Sequence, residues 1–299
     1  MTQNMSQNTQ SATLKDKTFS LFQRFLPHHF LSSIMYKITR IETKWFKNFF
    51  ITKFIGMYDV DMSQAQNENE RDFKCFNEFF TRPLKPEARP IAEGTNTIIS
   101  PVDGTVSEVG RINNGQIFQA KGKSYSLETL VGGSPERAQF YKDGYFATLY
   151  LSPRDYHRIH MPVTGRIREM VHVPGRLFSV SPSTVRSVNR LFARNERVVA
   201  GFSTDAGPMA MILVGAIFVS SMETVWAGTI TPPNGKYLRQ WSYDTQEPMH
   251  FDKAAEMGRF NMGSTVILLF PENSIQWEGN LVNGKTVQMG EKIGEVLSK

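Results

Sequence analysis

The chain has 299 residues, is 40% hydrophobic and 21% charged, and carries a net charge of +6. That length and composition suit one large core or two modest ones and exclude a fibrous or disordered chain. The single cysteine, Cys75, excludes an intrachain disulfide framework and fits a reducing cytoplasm, where Cys75 reads as a small buried hydrophobe rather than a nucleophile.

Residues 1–14 are uncharged and mostly Gln, Asn, Ser and Thr. They lack the charged start and apolar run of a secretory signal, and a disordered tail is expected. Residues 15–58 are expected to form amphipathic helices. Their first part, 15–53, holds eight basic side chains against Asp16 and Glu42, so its net +6 equals that of the whole protein. Leu31, Ile34, Met35, Ile38, Ile41, Trp45 and Phe49 recur mostly at spacings of three and four, and Phe46, Phe50 and Phe54 widen the stripe. A basic helix with aromatics on one side lies in a lipid interface, so Trp45, Phe49 and Phe50, with Lys44 and Lys47, are the expected docking residues on an anionic phospholipid membrane. The competing expectation is a helix packed on the protein's own core with a solvated basic face. Nucleic acid is not the expected partner, because aliphatic bulk is mixed with the basic residues and no recognition motif appears.

Residues 59–95 read as a linker, polar from about 61 to 71, with a short helix over about 72–81. From about residue 96 to the end the pattern is β-rich. Runs such as Thr97-Ile98-Ile99, Phe146-Ala147-Thr148-Leu149-Tyr150, Met211-Ile212-Leu213-Val214 and Val266-Ile267-Leu268-Leu269 are separated by Gly, Pro and the Asn-Gly pairs 114–115, 234–235 and 283–284. The longest strongly apolar run, residues 209–219, has eleven residues and falls well short of the roughly 20 that cross a bilayer as a helix. Pro101-Val102-Asp103-Gly104-Thr105-Val106 is echoed weakly by Pro162-Val163-Thr164-Gly165-Arg166-Ile167, and residues 283–296 are similar to the closing strands of biotinyl- and lipoyl-carrier barrels. The expected class is α+β, mainly β with helices: a β-barrel or sandwich-hybrid core behind an amino-terminal helical docking segment.

Two stretches carry candidate acid–base groups. Ser152-Pro153 with Asp155 is a helix-start signal, which predicts one short helical turn with His157 and His160 on a shared face. Zinc ligation by that pair lacks a neighbouring cysteine or second carboxylate motif, so no metal is expected. Backbone-satisfied histidines in a tight loop are the plain alternative to acid–base roles. Asp103 in Pro-Val-Asp-Gly is by default a turn former, and in a site it could orient a histidine. Arg82, Arg89 and Arg197 could grip a phosphate or carboxylate, with a surface or ion-pair role as the ordinary alternative. His172 is assigned nothing.

Asn261-Met262-Gly263-Ser264-Thr265 precedes the apolar strand residues and is the most informative stretch. Gly263 has no Cβ, which leaves its carbonyl open, and the Ser264 hydroxyl can attack it if a base takes the Oγ proton. The resulting ester can split by β-elimination, and the new amino-terminal dehydroalanine hydrolyses to a pyruvoyl group. A plain Gly-Ser turn before a strand is the alternative.

Five stretches in order decide between these alternatives: residues 76–91 with Phe79-Phe80-Thr81-Arg82-Pro83, Ser100-Pro101-Val102-Asp103-Gly104, residues 151–162 with His157 and His160, Asn195-Glu196-Arg197, and Met262-Gly263-Ser264-Thr265. Together they resemble phosphatidylserine decarboxylase over roughly residues 70–299, and an ordered set at these separations is specific where any one motif is not. The family often has Leu where Met262 stands, a swap of similar volume. The resemblance implies self-cleavage between Gly263 and Ser264 into chains 1–263 and 264–299, within a β-rich catalytic domain spanning 96–299. It places Asp103, His160 and Ser264 in the self-cleavage relay, and gives His157 substrate binding or proton handling. It further implies a covalent pyruvoyl cofactor from Ser264 without pyridoxal phosphate, which forms a Schiff base with phosphatidylserine and yields phosphatidylethanolamine. The expected assembly is a heterodimer of the two chains, open to further dimerisation, held peripherally on the cytoplasmic face of the inner membrane.

Three other readings compete. A pyruvoyl decarboxylase of a soluble amino acid would gain nothing from the basic aromatic segment. A serine hydrolase using Ser264, His160 and Asp103 lacks the Gly-x-Ser-x-Gly elbow. A lipid-surface carrier or scaffold without catalysis would keep an intact chain.

Overall fold

The computed structural model describes residues 11–217, 221–231, 236–244, 247–261 and 264–297. Met262 and Gly263, residues 1–10 of the expected tail, residues 218–219 of the long apolar run and the Asn234-Gly235 pair lie outside the described residues.

Three helices come first: α1 (Leu14–Phe25), α2 (His28–Ile38) and α3 (Lys44–Tyr58). Thr13 and Asp16 cap α1 reciprocally, and Asp59, in the left-handed conformation at φ 54°, ends α3. Next come α4 (Phe76–Phe80), β1 (Thr97–Ile99), β2 (Gly104–Arg111), β3 (Gln116–Ala120) and β4 (Lys123–Ser126). Short helices α5 (Leu127–Leu130) and α6 (Pro135–Gln139) precede β5 (Tyr145–Leu151), β6 (Arg158–His160) and β7 (Gly165–Val173). Helices α7 (Pro182–Ser187) and α8 (Leu191–Arg194) lead to β8 (Arg197–Thr204), β9 (Gly207–Val214), β10 (Met222–Thr224) and β11 (Gly228–Thr231). The last strands are β12 (Arg239–Ser242), β13 (His250–Phe251), β14 (Glu256–Phe260), β15 (Ser264–Phe270), β16 (Ile275–Trp277), β17 (Thr286–Val287) and β18 (Lys292–Val296).

The principal sheet runs β12-β7-β8-β9-β15-β5-β2-β17, with β13 also on β7. Strand β15 is its spine: all seven residues are buried between β5 and β9, as a continuous Val-Ile-Leu-Leu-Phe run requires. The echoed segments become β2 and β7 of this sheet. A second sheet, β11-β10-β14-β6, and a third, β1-β18-β16, accompany the hairpin β3-β4. The class is the mainly-β α+β class expected, but the sheets are open rather than closed into a barrel. Asn114 and Gly115, at φ 50° and 70°, make the turn from β2 to β3 that their sequence predicts.

One local expectation fails. Residues 152–156 form a turn without a helix, and the chain then enters β6. Half of the predicted cap chemistry is present, since the Ser152 N–H donates to Asp155 Oδ2 at 2.6 Å, while the Asp155 N–H donates at 3.0 Å to the Ser152 carbonyl rather than to its hydroxyl. Pairing of β6 with β14 then outweighs one isolated turn, which has a costly nucleus. The odd separation of His157 and His160 across extended chain therefore replaces the shared helical face.

Candidate active site

Register brings the sequence-predicted residues to one end of the principal sheet. Thr105 faces Tyr150 across β2 and β5, Tyr150 faces Thr265 across β5 and β15, and Leu151 faces Ser264. Asp103 directly precedes β2, so it and Ser264 sit at the same end of strands separated by β5 alone. Gly104 is needed there, because a Cβ would lie 2.4 Å from the Tyr150 carbonyl oxygen. Strand β6 carries His160 opposite Glu256, and the Phe260 N–H donates to the His157 carbonyl at 3.0 Å. Both histidines are thus laid against β14, the strand that leads into Ser264.

Ser264 is fully buried and its Oγ has no hydrogen-bond partner among the described residues; the neighbouring Thr265 Oγ1 is in the same state. A buried unpaired hydroxyl forgoes about 1–3 kcal/mol, an expense a folded chain rarely bears without a reason. His157 is fully buried against Phe80 of α4, with ring centroids 4.2 Å apart. Its Nδ1 donates to the Asp155 carbonyl at 2.7 Å, which leaves Nε2 as an unpartnered lone pair. Burial first, then the nearby Arg82 cation, pushes His157 down to about 3, against the backbone bond that favours its charged form. His160 is held below the ordinary histidine range, chiefly by burial. Its Nδ1 meets Ala254 O at 2.7 Å and its Nε2 meets the Tyr156 hydroxyl at 2.9 Å. Both histidines are therefore neutral near pH 7, the form in which imidazole accepts a proton.

Asp103, His160 and Ser264, the residues expected to form a relay, are not hydrogen-bonded to one another. Asp103 is held by Arg89, whose Nε lies 2.8 Å from Oδ1 and whose second nitrogen pairs with Oδ2, and by the Met289 N–H at 2.8 Å. Arg89 thus serves Asp103 rather than a ligand. Beside this pair lies a polar cleft of about 310 Å³ whose lining includes Arg82, Arg89, Asp103, Arg154 and Tyr156. His172 lies elsewhere, buried on Glu196 at 2.8 Å, and Arg197 spends its guanidinium on the carbonyls of Leu130, Ala193, Asn195 and Thr129. Among the described residues no cluster of His, Cys, Asp or Glu could hold a metal ion.

Sequence reasoning did not single out Tyr156 or Thr265. Tyr156 adjoins His157 in the motif, yet its hydroxyl reaches His160 only because the turn at 152–156 carries it there. Thr265 had a usable signal, as a hydroxyl residue in an otherwise apolar strand.

The amino-terminal helices are packed in an unusual sense. Asp16, Ser20 and Gln23 are the buried residues of α1 and bond to the α7 region: Asp16 to Arg186, Ser20 to Ser187, and Gln23 to Thr184 and the Ser179 N–H. Its large apolar residues face outward, with Phe22 62% and Phe25 80% exposed, and Phe30 of α2 shares that exposure. On α3, Trp45 is 73% and Phe49 60% exposed, and Lys44 is exposed beside them. Lys47 and Phe50 turn inward: the Lys47 ammonium donates to Arg71 O at 2.6 Å, and Phe50 packs on Phe76. No helix among the described residues is long and apolar enough to cross a membrane.

Comparison with known proteins matches residues 76–295 to the family described as phosphatidylserine decarboxylase, and residues 18–59 to one described as PSD. The chain is 50% identical over 291 residues to the phosphatidylserine decarboxylase proenzyme of Nitrosococcus oceani, covering 97% of this chain and 95% of that protein. It is 50% identical over 288 residues to the proenzyme of the same name from Pseudomonas fluorescens, covering 96% and 100%. With that of Alkalilimnicola ehrlichii it shares 53% identity over 263 residues, covering 88% and 91%.

Proposed function

Because the chain belongs to the phosphatidylserine decarboxylase family, and is a decarboxylase made as a proenzyme, we propose that Ser264 cleaves its own peptide bond to Gly263 and becomes the pyruvoyl group of the active enzyme. The observation that carries this reading is the Ser264 Oγ, buried, unpartnered and at the first position of β15.

In the first step His160 Nε2 takes the Oγ proton, and Oγ attacks the Gly263 carbonyl. The proton passes to the departing nitrogen as the amide becomes an ester. His160 is suited to this work because burial keeps it neutral and its Nδ1–H is fixed on Ala254 O, which leaves Nε2 basic. It must exchange the Tyr156 hydroxyl for Ser264 to do so. Asp103, locked by Arg89, supplies a fixed negative charge that favours the imidazolium as it forms. Loss of the Ser264 Cα proton then expels the Gly263 carboxylate, and water hydrolyses the new amino-terminal dehydroalanine, its oxygen staying as the ketone while the nitrogen leaves as ammonia.

The pyruvoyl carbonyl supplies an electrophile for the substrate amine and a sink for the electrons released with CO2. We assign to His157 Nε2, buried and unpartnered, the handling of the proton delivered to the carbon that loses CO2. Substrate arrives from an anionic bilayer, on which the exposed aromatics of α1, α2 and α3 rest beside Lys44 and other surface lysines. The setting is peripheral, on the cytoplasmic face of the inner membrane, with the chains 1–263 and 264–299 remaining associated. The inverted burial of α1 supports docking over a core-packed helix. A polar face sealed against α7 leaves an apolar face that only another apolar phase would cover.

Ser264→Ala tests the reading. It should fold, remain a single chain and release no CO2 from phosphatidylserine. Cleavage of that variant, or decarboxylation by it, would contradict a role for the hydroxyl.

A further inference from the structure

Arg82 is a buried cation with no carboxylate at ion-pair distance among the described residues, although Asp103, Asp61 and Asp155 act on it from farther away. It is only 4% exposed, yet it forms no ion pair among the described residues. Its Nε has no partner, and its other contacts are long: 3.5 Å to Phe79 O and 3.4 Å to Arg154 O, with the guanidinium 5.3 Å from the Phe79 ring. Burial draws its proton affinity down to about 10, which leaves it charged at neutral pH.

Arg82 lines the 310 Å³ cleft, and the other charges there are committed. Asp103 takes Arg89 and the Met289 N–H, Asp155 takes the Ser152 N–H, Asp61 takes Ser63 and Gln64, and Asp59 is exposed to solvent. Arg89 is saturated by Asp103, Gln64 and Ala88 O. Four carboxylates (Asp59, Asp61, Asp103, Asp155) and three arginines (Arg82, Arg89, Arg154) line the cleft, and the buried donor left without an acceptor among them is the Arg82 guanidinium, whose fork suits two oxygens of one anion.

We propose that Arg82 binds the phosphodiester of the phospholipid headgroup, with exposed Arg154 at the mouth of the cleft as a second donor. The inference rests on the decarboxylation reading above and names where the substrate's permanent charge goes. The cleft reaches Gly104, which lies level with Leu151 and Ser264 on adjacent strands, and neighbouring strands are about 4.8 Å apart. An anion there sits about two strand spacings from residue 264, within reach of a headgroup whose amine is at that residue. The substrate carboxylate is the less suitable occupant. A cation clamped on it stabilises the ground state that loses CO2, whereas the phosphodiester keeps its charge throughout.

The test uses the full chain, with self-cleavage read first by intact mass so that failure to process is separated from failure to bind. Wild type should be inhibited by glycerophosphoethanolamine, competitively against short-chain phosphatidylserine, and at least tenfold less by ethanolamine. Arg82→Gln, cleaved like wild type, should lose about 100-fold or more in kcat/KM on the phospholipid, the scale expected for removing one partner of a desolvated charge pair. Borohydride trapping with free serine should be unchanged, and Arg82→Lys should recover part of the loss. Equal inhibition of wild type by ethanolamine and glycerophosphoethanolamine would overturn the proposal even if Arg82→Gln failed to fold. Equal losses with serine and phospholipid would overturn it in favour of a carboxylate clamp.

Discussion

At the scale of single residues, the two histidines have different surroundings and should fail differently. Asp103→Ala and His160→Ala are expected to accumulate the full-length chain. His157→Ala is expected to cleave at least in part and then decarboxylate about 10²–10⁴-fold more slowly, the usual contribution of a general acid–base group. Chain mapping beside CO2 release checks this, and a complete block of cleavage in His157→Ala would refute the division of roles. A second residue-scale prediction concerns Glu108, which is buried with Asn283 as a donor and is pushed up to about 7 from its ordinary 4.5, chiefly by burial. Between those values the folded chain holds the proton more tightly than the unfolded chain, so Glu108's contribution to stability declines as pH rises through that window. Glu108→Gln should therefore raise the melting temperature at pH 8 and change it much less at pH 4.5. Equal shifts at both values would rule out titration of Glu108 as the cause.

At the scale of elements, α1 is the sharpest departure from expectation. Its sequence reads as amphipathic, but periodicity alone does not say which face is inward, and here the polar face is taken by α7. The buried contacts of Asp16, Ser20 and Gln23 are with residues more than 150 positions away, which no local pattern encodes. The same limit explains the turn at 152–156, where a sound helix-start signal loses to pairing with β14. Strands β1, β5, β9 and β15 were legible because β-branched runs between turn residues leave few alternatives. The candidate site residues were proposed from their order along the chain, whereas the Arg89–Asp103 and Tyr156–His160 contacts depend on tertiary packing. The outward aromatics predict a behaviour. A Phe22→Ser, Phe25→Ser, Trp45→Ser, Phe49→Ser variant should cleave itself normally and lose flotation with anionic vesicles, since each buried aromatic contributes about 1.5–3 kcal/mol. Wild-type binding should weaken with added salt. A variant that floats like wild type would move the docking surface elsewhere.

At the scale of the whole molecule, one antiparallel sheet gathers the site from distant segments. Strand β2 brings Asp103, β5 leads into the histidine turn, and β15 begins with Ser264. The proposed cut before Ser264 would leave β15, the buried spine of that sheet, in the small chain, which would stay woven between β5 and β9. Seven residues paired with β5, five of them paired with β9 as well, would give the two chains little means of separating. Tyr156 on His160 and Arg89 on Asp103 describe the chain before cutting, and every later role assigned to residue 264 depends on that cut taking place. Intact mass of native, active protein is the most direct measurement. It should give two species of roughly 30 and 4 kDa, the smaller beginning at residue 264 and lacking a free amino terminus. A single uncut chain of 34.0 kDa in a preparation that releases CO2 from phosphatidylserine would contradict the account.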